Sequence, residues 1–358
     1  MKTNWTAVEK RQLIIFGLVA FVLPYLLGIP MGLAYHAGSD VRAFPSAQMF
    51  YPAAGAILAI LLTRREDKTI PRKFYICFLL VTVLMALCAL ASAIAPALPW
   101  VAASNGVIMV GSVLCWVFYF LDGKARRTAW GMRLNRWVFA VFAVFAILYF
   151  VRIVLLSGLM ILVDPTLAKA ESTSVDPLYF TIMLVSMPLN FLLVYTAFFG
   201  EEYGWRGFLQ PLLQKRFGLR GGILVLGVAW GLWHLPINIF FYSPDTWGLS
   251  VVNQIVLCIC YSVFFGFAYM KTKSIWAPVL IHFFNNNAIT LFTDPSAIQN
   301  QVLDWTSVLL GFVALAVLYL PFFASKVFRT GPVVELPLPV EAQPAISEQP
   351  AEPAEPAQ

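Results

Sequence analysis

The sequence predicts an all-α fold: a polytopic transmembrane helix bundle of about ten spans, with both termini cytoplasmic and a disordered C-terminal tail. Three observations predict it. The 358 residues are 60% hydrophobic and 12% charged, against roughly 25% charged in an ordinary soluble domain, and the mean hydropathy is +0.78. Apolar runs of spanning length recur along most of the chain. The basic residues collect in alternate loops, on one side of the spans those runs define.

The runs cover residues 12–34, 46–63, 74–94, 100–121, 137–162, 178–200, 221–241, 250–270, 275–293 and 305–324. The first follows a basic start (Lys2, Lys10, Arg11), but it is too long for a signal peptide and lacks a small-residue cleavage site, so it stays as a helix. With the amino terminus inside, the cytoplasmic segments hold 21 of the 24 Lys and Arg residues, as the positive-inside rule requires. Arg42 and Lys169 fall outside, and Arg152 lies within a span. The net charge of +6 follows from this loop bias and asks for anionic lipid beside the basic loops, with no nucleic acid. All five cysteines fall inside spans without metal-type spacing and read as core residues. From Gly331 the composition turns to Pro, Glu and Ala, which cannot bury a core. No internal repeat is visible, which weighs against a transporter built from inverted halves.

Ionisable side chains at bilayer depth cost at least about 2.5 to 3.5 kcal/mol each on insertion scales, so they are functional candidates. Here they are Glu201, Glu202, Arg206, His234, His282 and Arg152, with Asn286 as a neutral companion. The helix bearing Glu201 is read as continuing past the end of its apolar run, beyond Pro211 to Lys215 and Arg216, and stopping at Gly218. Glu201 then lies roughly 21 Å of helix from its basic anchor, His234 about 18 Å beyond Gly222, and His282 about 13 Å beyond Lys273. Glu202 and Arg206 share a helix face at i and i+4, while Glu201 is turned away and free for chemistry. His282 and Asn286 share another face, and Trp230 stands one turn before His234. Each residue also has a structural reading. A lone histidine packs, a Glu–Arg pair holds helices together, Asn285 and Asn287 serve as interhelical hydrogen-bond formers, and Arg152 partners a carbonyl or snorkels.

A carboxylate in a hydrated pocket is a competent general base, histidine shares that role or ligates a metal, and Asn and His N–H groups suit an oxyanion. The set suggests amide hydrolysis at the membrane. Gly-x-Ser-x-Gly, His-Glu-x-x-His and a cysteine beside either histidine are all missing, so serine, zincin and cysteine mechanisms are unsupported. The competing class is a non-catalytic scaffold, or a proton-coupled transporter using Glu201 and the histidines as a relay.

"EEYGWR" (Glu201 to Arg206), "WGLWH" (Trp230 to His234) and "HFFNN" (His282 to Asn286), in that order on successive segments, resemble the CPBP family of intramembrane proteases. That family comprises the type II CAAX prenyl endopeptidases and the bacteriocin-processing or Abi proteins. Trp230 stands where the family motif has Phe. The resemblance covers about 177–292 and implies that Glu201, assisted by His234, activates water. His282 and Asn286 stabilise the oxyanion or hold a metal, and Glu202 and Arg206 form a supporting pair. It leaves open whether a divalent metal such as zinc is bound. His234, His282 and Asn286 are a poor zinc set unless Glu201 also ligates.

The implied organisation is a scaffold or gate over 1–176, a protease core over 177–293, a last transmembrane helix within 294–330 and the tail over 331–358. The implied partner is a peptide or protein at the membrane, lipid-modified in the eukaryotic relatives, where three residues after a prenylated cysteine are removed. Access to the active site is expected from the cytoplasmic side.

Overall fold

The computed structural model describes residues 3–165, 177–292 and 295–339. Lys169 and residues 340–358 of the tail lie outside this set. Among the described residues every regular element is helical, because only closed intrasegment hydrogen bonding suits the backbone in hydrocarbon.

Eight helices are long and apolar enough to span on their own. These are α1 (Ala7–His36), α2 (Ala43–Thr63), α3 (Arg72–Ile94), α4 (Trp100–Leu121), α5 (Arg136–Val163), α6 (Pro177–Phe217), α8 (Pro244–Thr272) and α10 (Trp305–Ala324). A ninth, α7, is a pair (Leu219–Trp233 and Leu235–Tyr242) bent by 42°. The remaining expected span, 275–293, is shorter than the sequence predicts: α9 runs from Trp276 to Ala288, with a 3-10 turn to Leu291. It still carries the chain across. Ile275 N–H donates to Gly131 O in a basic loop, whereas Asn300 and Gln301 donate to Phe241 O and Tyr242 O at the far end of α7.

Lipid faces and core separate cleanly. Leu33, Leu80 and Val154 are 69%, 62% and 73% exposed, the outward faces of helices whose solvent is lipid. Phe74, Phe78, Phe145 and Phe199 are fully buried. All five cysteines are buried and free, as expected of core residues.

The first and last described residues of the chain lie near the basic face. Thr3 N–H donates to Lys215 O, and Lys215 Nζ pairs with Glu9 (2.8 Å) and Glu335 (3.5 Å). The first tail residues dock there too: Val334 is buried and Leu338 N–H donates to Ala129 O.

Glycines set the closest crossings. A Cβ on Gly200 would stand 2.3 Å from Met49 O, and one on Gly204 2.4 Å from the Pro52 carbonyl carbon. Gly227 and Gly231 press likewise on the Cα atoms of Ile259 and Ile255, at 2.6 and 2.5 Å. Small residues four apart let membrane helices approach backbone to backbone. Gly231→Ala should therefore destabilise by about 1 to 3 kcal/mol, seen as a lower thermal midpoint in detergent. Gly106→Ala, where a Cβ meets nothing within 4 Å, should leave the midpoint unchanged. Equal midpoints for the two variants would refute this reading of the α7–α8 crossing.

Candidate active site

The helix that delivers the two carboxylates does not end at Gly200. α6 continues through a π-helical stretch, Tyr203–Leu209, into Gln210–Phe217, and stops at Gly218. The widened turns precede Pro211, whose ring would otherwise press on the carbonyl four residues back. Glu201, Glu202 and Arg206 are all buried as a result. Arg206, which the loop count assigns to a cytoplasmic segment, has no exposed surface at all.

Glu202 is the hub. Arg206 Nη1 lies 3.1 Å from its carboxylate and His282 Nδ1 lies 2.8 Å from Oε1. The guanidinium also stacks over Trp230 and Phe265, at 4.2 and 4.8 Å to the ring centres. Because the carboxylate only accepts, His282 donates from Nδ1 and keeps Nε2 for other work. Glu201 is held differently: Trp230 Nε1–H donates to its Oε2 at 2.8 Å. A phenylalanine at position 230 has no such donor, so the departure from the family motif adds a bond to the first glutamate.

His234 sits at the bend of α7. Pro236 has no N–H for the carbonyl of Leu232, and the kink frees the neighbouring carbonyls. Side chains serve two of these: Tyr25 Oη–H donates to Leu232 O (2.9 Å) and Gln48 Nε2–H to Trp233 O (2.8 Å), while His234 O keeps the Asn238 backbone N–H (2.9 Å) and takes a second bond from Asn238 Nδ2–H (3.1 Å). The His234 ring is fixed by Nδ1 on Trp230 O at 2.8 Å. A carbonyl only accepts, so Nδ1 carries the proton and Nε2 a lone pair.

Glu201, Trp230, His234, His282 and Asn286 line one cavity of about 230 Å³. Its walls add residues that the sequence did not single out, among them Trp233, Tyr261, Phe265 and the Pro45–Met49 turn of α2. Nothing but three-dimensional proximity marks the last of these. Its exposed lining is Asn286 and Ile298, with Pro45 and Ser46 half-buried. These lie at the end of the bundle where Arg42 sits, opposite the basic loops. Toward the basic loops the cavity is closed by the buried run from Tyr203 to Gln210. Among the described residues no group of three His, Cys, Asp or Glu side chains is placed to hold a metal ion.

A profile for the type II CAAX prenyl endopeptidase Rce1-like family matches residues 180–288. The match is confined to that stretch, and there it supports the resemblance to the CPBP family. A curated relative, CAAX prenyl protease 2 of Methanococcus maripaludis, is 29% identical over 136 residues, 33% of this chain. The match spans about half (46%) of that relative's length. No solved structure matches. The matched stretch holds every motif residue of the cavity, and α1 to α5 lie before it.

The capped bend makes a prediction. Gln48→Leu leaves Trp233 O buried without a donor, which should cost about 1 to 3 kcal/mol and lower the thermal midpoint. An unchanged midpoint would mean that the bend does not depend on α2.

Proposed function

We propose that the chain is an intramembrane endopeptidase that hydrolyses a peptide bond in a membrane-associated substrate. The observation that carries the proposal is the meeting of Glu201, His234, His282 and Asn286 in one cavity. Glu201 is the general base. With Oε2 occupied by Trp230, its other oxygen takes a proton from water, while the Nε2 lone pair of His234 holds the second hydrogen. The water oxygen bonds to the carbonyl carbon, and the oxyanion is met by the Asn286 amide and by His282 Nε2–H when that ring is doubly protonated beside Glu202. Collapse breaks the C–N bond, and Glu201 returns its proton to the leaving amine. No step needs a metal, and a metal bound at Glu201 and the histidines is an outcome that the assay below separates.

The substrate class rests on the walls and on the family. Trp230, Trp233, Ile237, Leu257 and Phe265 give the cavity an apolar lining suited to a peptide at the lipid boundary, and the curated relative is named as a prenyl protease. We propose a lipid-anchored peptide or protein. Residues 1–176 act as scaffold and, through Pro45–Met49, as one rim of the cavity.

In cleavage assays with purified protein and lipidated peptides, Glu201→Ala should abolish turnover with folding intact. Trp230→Phe should lower kcat by on the order of 10- to 100-fold, as for a hydrogen bond to a charged group. A metal chelator should leave the rate within about twofold, since general-base catalysis here uses side chains alone. Full activity in Glu201→Ala would reject the protease reading in favour of a scaffold or transporter, and chelator-sensitive turnover would assign a metal.

Access from the cytoplasm follows from helix depth alone, but the exposed lining supports the opposite face. We infer that substrate reaches the cavity from the side away from the basic loops. A Ser46→Cys variant should react with an impermeant maleimide on the face opposite to that labelling Lys68→Cys. Labelling of both from one side would restore cytoplasmic access.

A further inference from the structure

Arg152 lies inside the span of α5, and among the described residues no carboxylate pairs with it. An intramembrane cation without an acid is costly and asks for a use. Its ring neighbours are Tyr149 and Tyr261, at 4.7 and 6.0 Å to the centres. Its Nη1–H donates to Tyr261 Oη at 2.8 Å. Tyr261 Oη–H in turn donates to Asn285 Oδ1 at 2.6 Å, and Asn285 Nδ2–H donates to Asn286 Oδ1 at 3.0 Å. Three bonds therefore join Arg152 to Asn286, through Tyr261 and Asn285, which line the same cavity.

The direction of this chain is set at its origin. A guanidinium has five donors and no acceptor, so the Tyr261 oxygen must accept from it. The single phenolic hydrogen is then left to be given away, and the Asn285 carbonyl oxygen is the acceptor it meets. Leaving that buried hydrogen unbonded would cost about 1 to 3 kcal/mol. Asn285 must present its NH2 to Asn286, and Asn286 spends its oxygen on that bond. Only the Asn286 NH2 remains for the cavity, and among the described residues it donates to no protein acceptor.

We propose that Arg152 is a positioning residue which, through Tyr261 and Asn285, fixes the Asn286 amide with its donor face toward the oxyanion. Resting on the endopeptidase reading, this assigns a task to a residue outside the family-matched stretch. An amide with nothing on its oxygen flips at little cost and turns an acceptor toward developing negative charge. The relay disfavours that flip before substrate arrives, which is the preorganisation that makes such donors effective.

A double-mutant cycle in the same cleavage assay tests it. Asn286→Ala should lower kcat by on the order of 100-fold, the usual loss for one oxyanion donor. Arg152→Met, which keeps a long stem without donors, should lower kcat by on the order of 10-fold or more through the same step, with KM nearly unchanged. Arg152→Lys, also a pure donor, should recover most of that loss. In the Asn286→Ala background Arg152→Met should add no further loss, because the group it positions is gone. Multiplicative losses, an effect confined to KM, or failure of the lysine variant with a normal thermal midpoint would each overturn the relay. Glu201→Ala in parallel tests the endopeptidase reading by itself. If that variant is inactive and the cycle is multiplicative, only the relay falls; if it is active, both fall.

Discussion

Glu202 is a carboxylate removed from solvent in the middle of a helix bundle, and the site is organised around making that tolerable. Several kcal/mol oppose placing an ion there. Arg206 one turn along and His282 across the interface offset the cost, and Trp230 and Phe265 cover the guanidinium. The same contacts tie α6 to α9 and turn the outer nitrogen of His282 into the cavity. A charge stabilised by three elements in this way fixes their relative rotation, so that Glu201, its immediate neighbour, faces a different set of groups. Gly200 and Gly204 bracket the pair and let α6 lie against the backbone of α2, close enough for α2 to reach the cavity.

The second constraint is the satisfaction of backbone groups away from water. Bending α7 at His234 puts an imidazole into the cavity but takes the helical partners from the carbonyls of Leu232 and Trp233. Tyr25 of α1 and Gln48 of α2 replace them. The helices before the family-matched region thus supply hydrogen bonds without which the bend at His234 would carry unsatisfied polar groups. At the other side of the cavity Arg152, also from before that region, donates to the Tyr261 hydroxyl. A core of about four spans carries the motif residues, but the surrounding helices hold their geometry.

Much of this was legible in the sequence. Apolar runs and the loop distribution of Lys and Arg gave the helical bundle with its ends on one face, because both follow from the cost of charge and open backbone in lipid. Spacing at i and i+4 paired Glu202 with Arg206 and put Trp230 under His234. Other features depend on tertiary placement. The span at 275–293 looked as long as its neighbours, yet α9 itself is 13 residues, since an apolar run does not reveal where helix yields to turn. The loop distribution puts Arg206 in a cytoplasmic segment while its spacing from Glu202 puts it on a helix face at bilayer depth, and its complete burial agrees with the second. Tyr261 and Gln48 carry no local signal, being one tyrosine and one glutamine among many. Depth could be counted from the basic anchors, but the direction in which the cavity opens could not. The first nine residues of the Pro-rich tail pack on the basic face through Val334 and Leu336, where composition alone suggested no packing.

The central claim is that Glu201 and Asn286 address the two sides of one peptide bond. A structure of the Glu201→Gln variant with an uncleaved lipidated peptide tests it most directly. The account predicts the scissile carbonyl oxygen within hydrogen-bond reach of Asn286 Nδ2, about 2.6 to 3.2 Å, with a water between residue 201 and the carbonyl carbon. A peptide bound with its carbonyl turned away from Asn286, or seated outside the cavity, would contradict it.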